Sequence, residues 1–99
     1  MSTHDNSLSG LDIKATVARV EGLTGNRQIA ETKLKILLAK AERQGNVPLA
    51  FNVRFALGEI ALKAQDFSGR KILNDLSNDA AAKGFLLVSR KANSALSHK

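Results

Sequence analysis

The side chains that most often carry chemistry are scarce in this chain. It has two histidines, His4 and His98, both next to a terminus, and no cysteine. Zinc sites draw on Cys and His ligands held by folded elements, and a thiol nucleophile needs a Cys. No metal set and no cysteine chemistry is therefore expected. Asp75 and Asp79 stand at i, i+4, a spacing that puts two carboxylates on one face of a helix. Such a pair can share a cation or a proton, although a solvated helix face is the simpler reading. No phosphate loop and no glycine fingerprint of a dinucleotide site occurs. The sequence predicts no catalytic residue, no metal and no cofactor, and hence a protein that is not an enzyme.

Binding is the remaining chemistry. The 99 residues carry 15 Lys and Arg against 9 Asp and Glu, a net charge of +6. The excess is uneven: residues 1–25 sum to −1, residues 26–66 to +3 and residues 67–99 to +4. Such a balance admits nucleic acid or another acidic partner. Arg54, Arg70, Lys71, Arg90 and Lys91 are the candidates for contacts to it. No run of three basic residues exists, and this dispersion makes a solvated lysine-rich surface the simpler account of the charge.

The elements that would position these residues read as helices. Residues 1–10 are polar and are expected to be a flexible tail; residues 11–97 are expected to form one helical domain, the size one core supports. A first helix is predicted from about Asp12 to Glu21, with Ile13, Val17 and Val20 as its apolar stripe and Gly22 as its stop. The second runs from Arg27 to Gln44, with Ala30, Leu34, Leu37, Leu38 and Ala41 on one face, a Glu31–Lys35 pair, and Gly45 as its stop. The third starts at an Asn46 cap with Pro48 in its first turn and ends near Ala64.

This third helix has two apolar stripes. Leu49, Val53, Ala56, Leu57, Ile60, Ala61 and Ala64 form one; Phe51, Phe55 and Leu62 form the other. A helix apolar on two sides must be covered on two sides. It is either the centre of the fold or a helix with one stripe awaiting a partner. A fourth helix is predicted from a Ser68 cap to Lys83, with Ile72, Leu73, Leu76 and Ala80 inward and an Asp79–Lys83 pair. A fifth runs from Phe85 to Leu96, with Phe85, Val88, Ala92, Ala95 and Leu96 on one face. Nothing reads as a strand, and turns of two to five residues imply antiparallel neighbours.

Turn-plus-helix starts at Asp12, Val47 and Phe85 lie 35 and 38 residues apart, near the period of helix-pair repeats. The stretch Leu57-Gly58-Glu59-Ile60-Ala61-Leu62-Lys63-Ala64-Gln65-Asp66-Phe67 resembles the first helix and turn of a tetratricopeptide repeat. Gly58 and Ala61 fall where such a repeat packs its helices closely. Residues 69–92 resemble the last repeats of longer bacterial tetratricopeptide proteins. The resemblance covers about residues 47–92. It departs from the pattern at Arg70, where a small residue is usual, and lacks the Pro at the repeat end. Residues 11–45 match in length and amphipathicity alone.

The resemblance implies an all-α fold of about five antiparallel helices stacked as helix-turn-helix repeats, and an adaptor or scaffold that binds a partner peptide or helix. It places the inner groove on Asn52, Phe55, Glu59, Leu62 and Lys63. Phe55 and Leu62 lie on the second apolar stripe, and the polar residues ring them, as a peptide groove requires. Coverage of that stripe by the first or fifth helix is the competing reading. Glu59 and Phe55 argue against a groove made to clamp a peptide carboxylate.

Two alternatives stay open. Ala41-Glu42-Arg43-Gln44-Gly45-Asn46-Val47 has the small residue four positions before a turn Gly found in DNA-binding helix-turn-helix motifs, although the helix after it offers few hydrogen-bonding side chains for a groove. An exposed stripe could also pair with a second copy of the chain. With no signal-peptide pattern, and no strictly apolar run longer than the four of Ile36–Ala39, a cytoplasmic protein with no membrane contact is expected. Met1 reads as a natural start, while the lack of a capping repeat would fit a piece of a larger protein.

Overall fold

Glycine and asparagine turns divide the chain into helices whose bounds follow the sequence closely after residue 26. The computed structural model describes the backbone of residues 10–97 and the side chains of residues 13–97. The expected tail, His4 and His98 lie outside the described residues. Among those residues are five helices and no strand: α1 (Gly10–Leu23), α2 (Arg27–Gln44), α3 (Val47–Lys63), α4 (Ser68–Ala82) and α5 (Leu86–Ser97). None is long and apolar enough to cross a membrane.

The turns show why the breaks fall where they do. α2 stops at Gly45, left-handed at φ 67°, where the Asn46 N–H returns to the Ala41 carbonyl at 2.8 Å. Asn46 then caps α3: its Oδ1 accepts from the Leu49 N–H at 3.2 Å, with Pro48 in the first turn. Gly22 does not stop α1. It is buried within the helix against Ile60 and Ala30, and the break comes at Gly25, with φ 122°. Ser68 does not cap α4 but begins it, and the Asp66 Oδ1 accepts the Ser68 N–H at 2.9 Å.

Asp66 also accepts from Arg27 Nη2, so the start of α2 is tied to the turn between α3 and α4. The hydrogen bond from Arg27, aided by the Ser68 N–H, lowers the Asp66 carboxyl to a pKa of about 2. Arg27 gathers Glu31 as well, at 3.0 Å. The expected Glu31–Lys35 pair is thus replaced by one in the same helix with the opposite order.

Gln65 ends the α3 turn at φ 62°, a left-handed position that a side chain resists. Gln65→Gly keeps the N–H that donates to the Leu62 carbonyl and removes the conflict. It is expected to stabilise the protein by about 0.5–1 kcal/mol, read as a raised midpoint in urea denaturation. An unchanged or lowered midpoint would refute this account of the turn.

α3 is the centre of the fold. It packs against α1 and α2 on one side and against α4 on the other, and it also reaches α5. Its two stripes seed two clusters. Leu49, Val53, Ala56, Leu57 and Ile60 meet Ala15 and Ala18 of α1 and Ala30, Leu34, Leu37 and Ala41 of α2. Phe51, joined by half-buried Phe55 and Leu62, meets Leu73, Leu76 and Ala80 of α4 and the Phe85, Val88 and Ala92 face at α5. Phe51 and Phe85 stack edge to face, with centroids 5.2 Å apart. Both stripes are therefore largely covered from within. Buried Ser77 of α4 is satisfied by the hydroxyl of Ser89 and by Asn93 Oδ1 of α5. The thinnest dimension of the chain, 21 Å, equals about two helix diameters.

α1 departs from its expected orientation. Ile13, Val17 and Val20 are 58%, 51% and 50% exposed, and the face that docks is Ala15, Ala18 and Gly22. Small residues let the α1 backbone lie close to α2 and α3, a gain that outweighs the larger side chains turned outward. Periodicity identifies a stripe without saying which of two faces a neighbour takes.

Candidate functional site: a cleft centred on Phe55

The second stripe of α3 leaves Phe55 only half covered, and α1 and α5 stand on either side of it. The result is a cleft of about 620 Å³ lined by Thr16 and Arg19 from α1, Asn52, Phe55 and Glu59 from α3, and Lys91 from α5. Its volume falls in the range of pockets that hold small molecules or a few residues of a peptide, about 300–1,000 Å³. The cleft continues along α5 past Ser94 and Ala95.

Phe55 is the apolar floor between two cations. The Arg19 guanidinium lies 6.0 Å from the ring centroid and the Lys91 ammonium 4.8 Å, distances at which a ring face attracts a cation. Arg19 Nε donates to the Glu59 carboxylate, tying α1 to α3 across the cleft. That hydrogen bond raises the guanidinium pKa above its ordinary value, so Arg19 stays charged. Glu59 therefore offsets Arg19, and Lys91 leaves the walls with a surplus positive charge. Asn52 is exposed at the edge and brings both a donor and an acceptor.

Three of the five groove residues expected from the sequence are brought together here: Asn52, Phe55 and Glu59. Leu62 is spent on the cluster around Leu73 and Leu76. Lys63, in the last turn of α3, is exposed and is not part of the lining. Sequence reasoning missed Thr16 and Arg19, and it named Lys91 only as a basic contact. Arg19 lies 40 positions from Glu59, and no local pattern signals a pair at that separation.

The five basic candidates do not share one surface. Arg54 donates to Asp79 at 2.7 Å and lies over Phe51, facing a different cleft that includes Glu42 and Lys83. Lys71 donates to Asp75 at 2.9 Å and, with Arg70, borders Leu96. Arg90 is exposed on α5, and Lys91 faces Phe55. Asp75 and Asp79 are thereby drawn to separate cations, and the expected Asp79–Lys83 pair gives way to the reach across to α3. α3, the helix that would follow a DNA-binding turn, buries Leu49, Phe51 and Val53 between its neighbours. Comparison with protein-family models, with curated proteins and with solved structures finds no match to this chain.

Proposed function

We propose that the chain is a protein-interaction module of tetratricopeptide-like character, an adaptor rather than an enzyme, which binds a partner peptide or helix in the Phe55 cleft. The observation that carries this reading is the cleft itself, an apolar floor with a polar and charged rim contributed by three helices. The helical-repeat part draws support from connectivity. Turns of two to four residues join each helix to the next, α3 packs on both α1 and α2, and the cleft is built from alternate helices. Close approach at Gly58 and Ala61 adds to it: a Cβ at Gly58 would stand 2.5 Å from Leu73, and Ala61 borders Gly69. The scattered and partly paired basic residues lend the nucleic-acid reading no comparable surface.

Selection of a random peptide library displayed on phage tests the proposal directly. Peptides enriched on the natural chain should carry an apolar anchor and bind Phe55→Ala at least about thirtyfold more weakly, as a central aromatic contact does. Enriched peptides that bind Phe55→Ala equally well, or no enrichment at all, would overturn it.

A further inference from the structure

The outward face of α1 is a second surface, made of other side chains than those lining the cleft. Ile13, Val17 and Val20 are each at least half exposed. Thr24 follows one turn later, its hydroxyl donated internally to the Val20 carbonyl at 2.8 Å. These positions alternate by four, three and four residues, the seam spacing of two helices packed along their length. No charged residue interrupts the seam. Its occupant must therefore offer a matching apolar strip.

The flank of the seam indicates which strip. Lys14 and Glu21 are seven residues apart, so they occupy the same position of the seven-residue register on the same side. Two antiparallel helices bring the same flank of each together. A copy of α1 laid antiparallel, with its two-fold axis midway between residues 14 and 21, sets Lys14 opposite the partner's Glu21, twice. Parallel pairing would set Lys14 against the uncharged flank of Thr16 and Leu23. Both groups can accept the new contact. Lys14 has no ion pair among the described residues, and Glu21 gives only its Oε1 to Lys33, at 3.1 Å.

We propose that the chain forms a two-fold dimer in which α1 packs antiparallel on α1 of a second copy, through Ile13, Val17 and Val20, with reciprocal Lys14–Glu21 pairs. The face is self-complementary, as a two-fold contact demands. The seam is short beside an interface of standard size, so the dimer is weak, with Kd of about 10⁻⁵–10⁻³ M.

Sedimentation equilibrium of the full chain from about 10 µM to about 1 mM tests the proposal. The expected mass rises toward that of two copies. Val17→Lys, a change at an exposed position, weakens the dimer at least about tenfold by placing like charges near the axis. Lys14→Glu weakens it about threefold to tenfold at low salt, and Lys14→Glu with Glu21→Lys restores it. A single-copy mass throughout overturns the proposal. So does a dimer indifferent to Val17→Lys, or a charge swap that fails to recover what the single change lost.

Discussion

Leu73→Ala is expected to lower the unfolding free energy by about 3 kcal/mol, within the range of about 2–5 kcal/mol for truncating a fully buried leucine. Leu73 is 0% exposed and stands at the crossing of α4 with α3, beside Gly58. Its loss opens a void that cannot refill: the side chains around it, Phe51, Leu76 and Ala80, are held by helices on both sides. A small domain of this kind has about 5–15 kcal/mol in all, so the variant should unfold at a much lower urea concentration. Leu34→Ala, in the other cluster, should cost a similar amount. α3 belongs to both clusters, so each variant should still unfold in one transition rather than two. Val17→Ala is the contrast. The sequence alone makes Val17 a stripe residue equal in rank to Leu34, but its exposure limits the loss to about 0.5 kcal/mol. A loss at Val17 matching that at Leu73 would refute the orientation of α1, and a loss at Leu73 under about 1 kcal/mol would refute the packing of α4.

Gly69→Ala is expected to destabilise by about 2 kcal/mol, against the direction that helix propensity predicts. In an open helix interior the change would gain about 1 kcal/mol. Here a Cβ would lie 2.8 Å from the Leu62 nitrogen, 2.9 Å from the Gly58 carbonyl oxygen and 3.0 Å from the Ala61 Cβ. Two of these are backbone atoms of α3, so relief requires moving one helix from the other, at the cost of contacts throughout the second cluster. Gly58→Ala makes an instructive comparison. Its new methyl would meet Leu73 Cγ at 2.5 Å and Cδ2 at 2.6 Å, and Leu73 is fully buried, so this change is expected to destabilise as well, by displacing a packed side chain rather than by parting two backbones. Urea midpoints for the two variants measure both. A gain at either position would mean that α3 and α4 do not approach as closely as described.

The residues explain how far the sequence could be read. α2 to α5 were legible because their punctuation is local. Gly45 and Gly84 supply left-handed stops, Asn46 caps through its own side chain, and α2, α4 and α5 each have one apolar face wide enough to leave no choice of side. α3 was legible as the centre because two stripes on one helix demand two neighbours. α1 was misread because it has two candidate faces, and the winning one consists of Ala15, Ala18 and Gly22. Small residues carry little weight in a hydrophobic pattern but permit the closest approach. Gly22 was mistaken for a stop for the same reason, since a glycine that ends a helix and one that packs a helix look alike in sequence. In the site, Asn52, Phe55 and Glu59 were named through the tetratricopeptide resemblance, with Phe55 also on the second apolar stripe of α3. Arg19 and Lys91 could not, because their place over Phe55 depends on how α1 and α5 dock from opposite ends of the chain.

The arrangement around Phe55 has a mechanical side. Among the described residues α1 and α5 do not pack on each other; each is braced by the helix next to it in sequence and by α3. The cleft between them has the Phe55 ring as its floor, with a cation leaning on it from each side. The separation of its walls is set by how each end helix docks on α3, through Ala15 and Ala18 on one side and Ala92 on the other. Whatever lies in the cleft acts as a strut between the first and last helices. Part of its binding free energy goes into stiffening the protein, and its grip rises and falls with how firmly the two end helices are held.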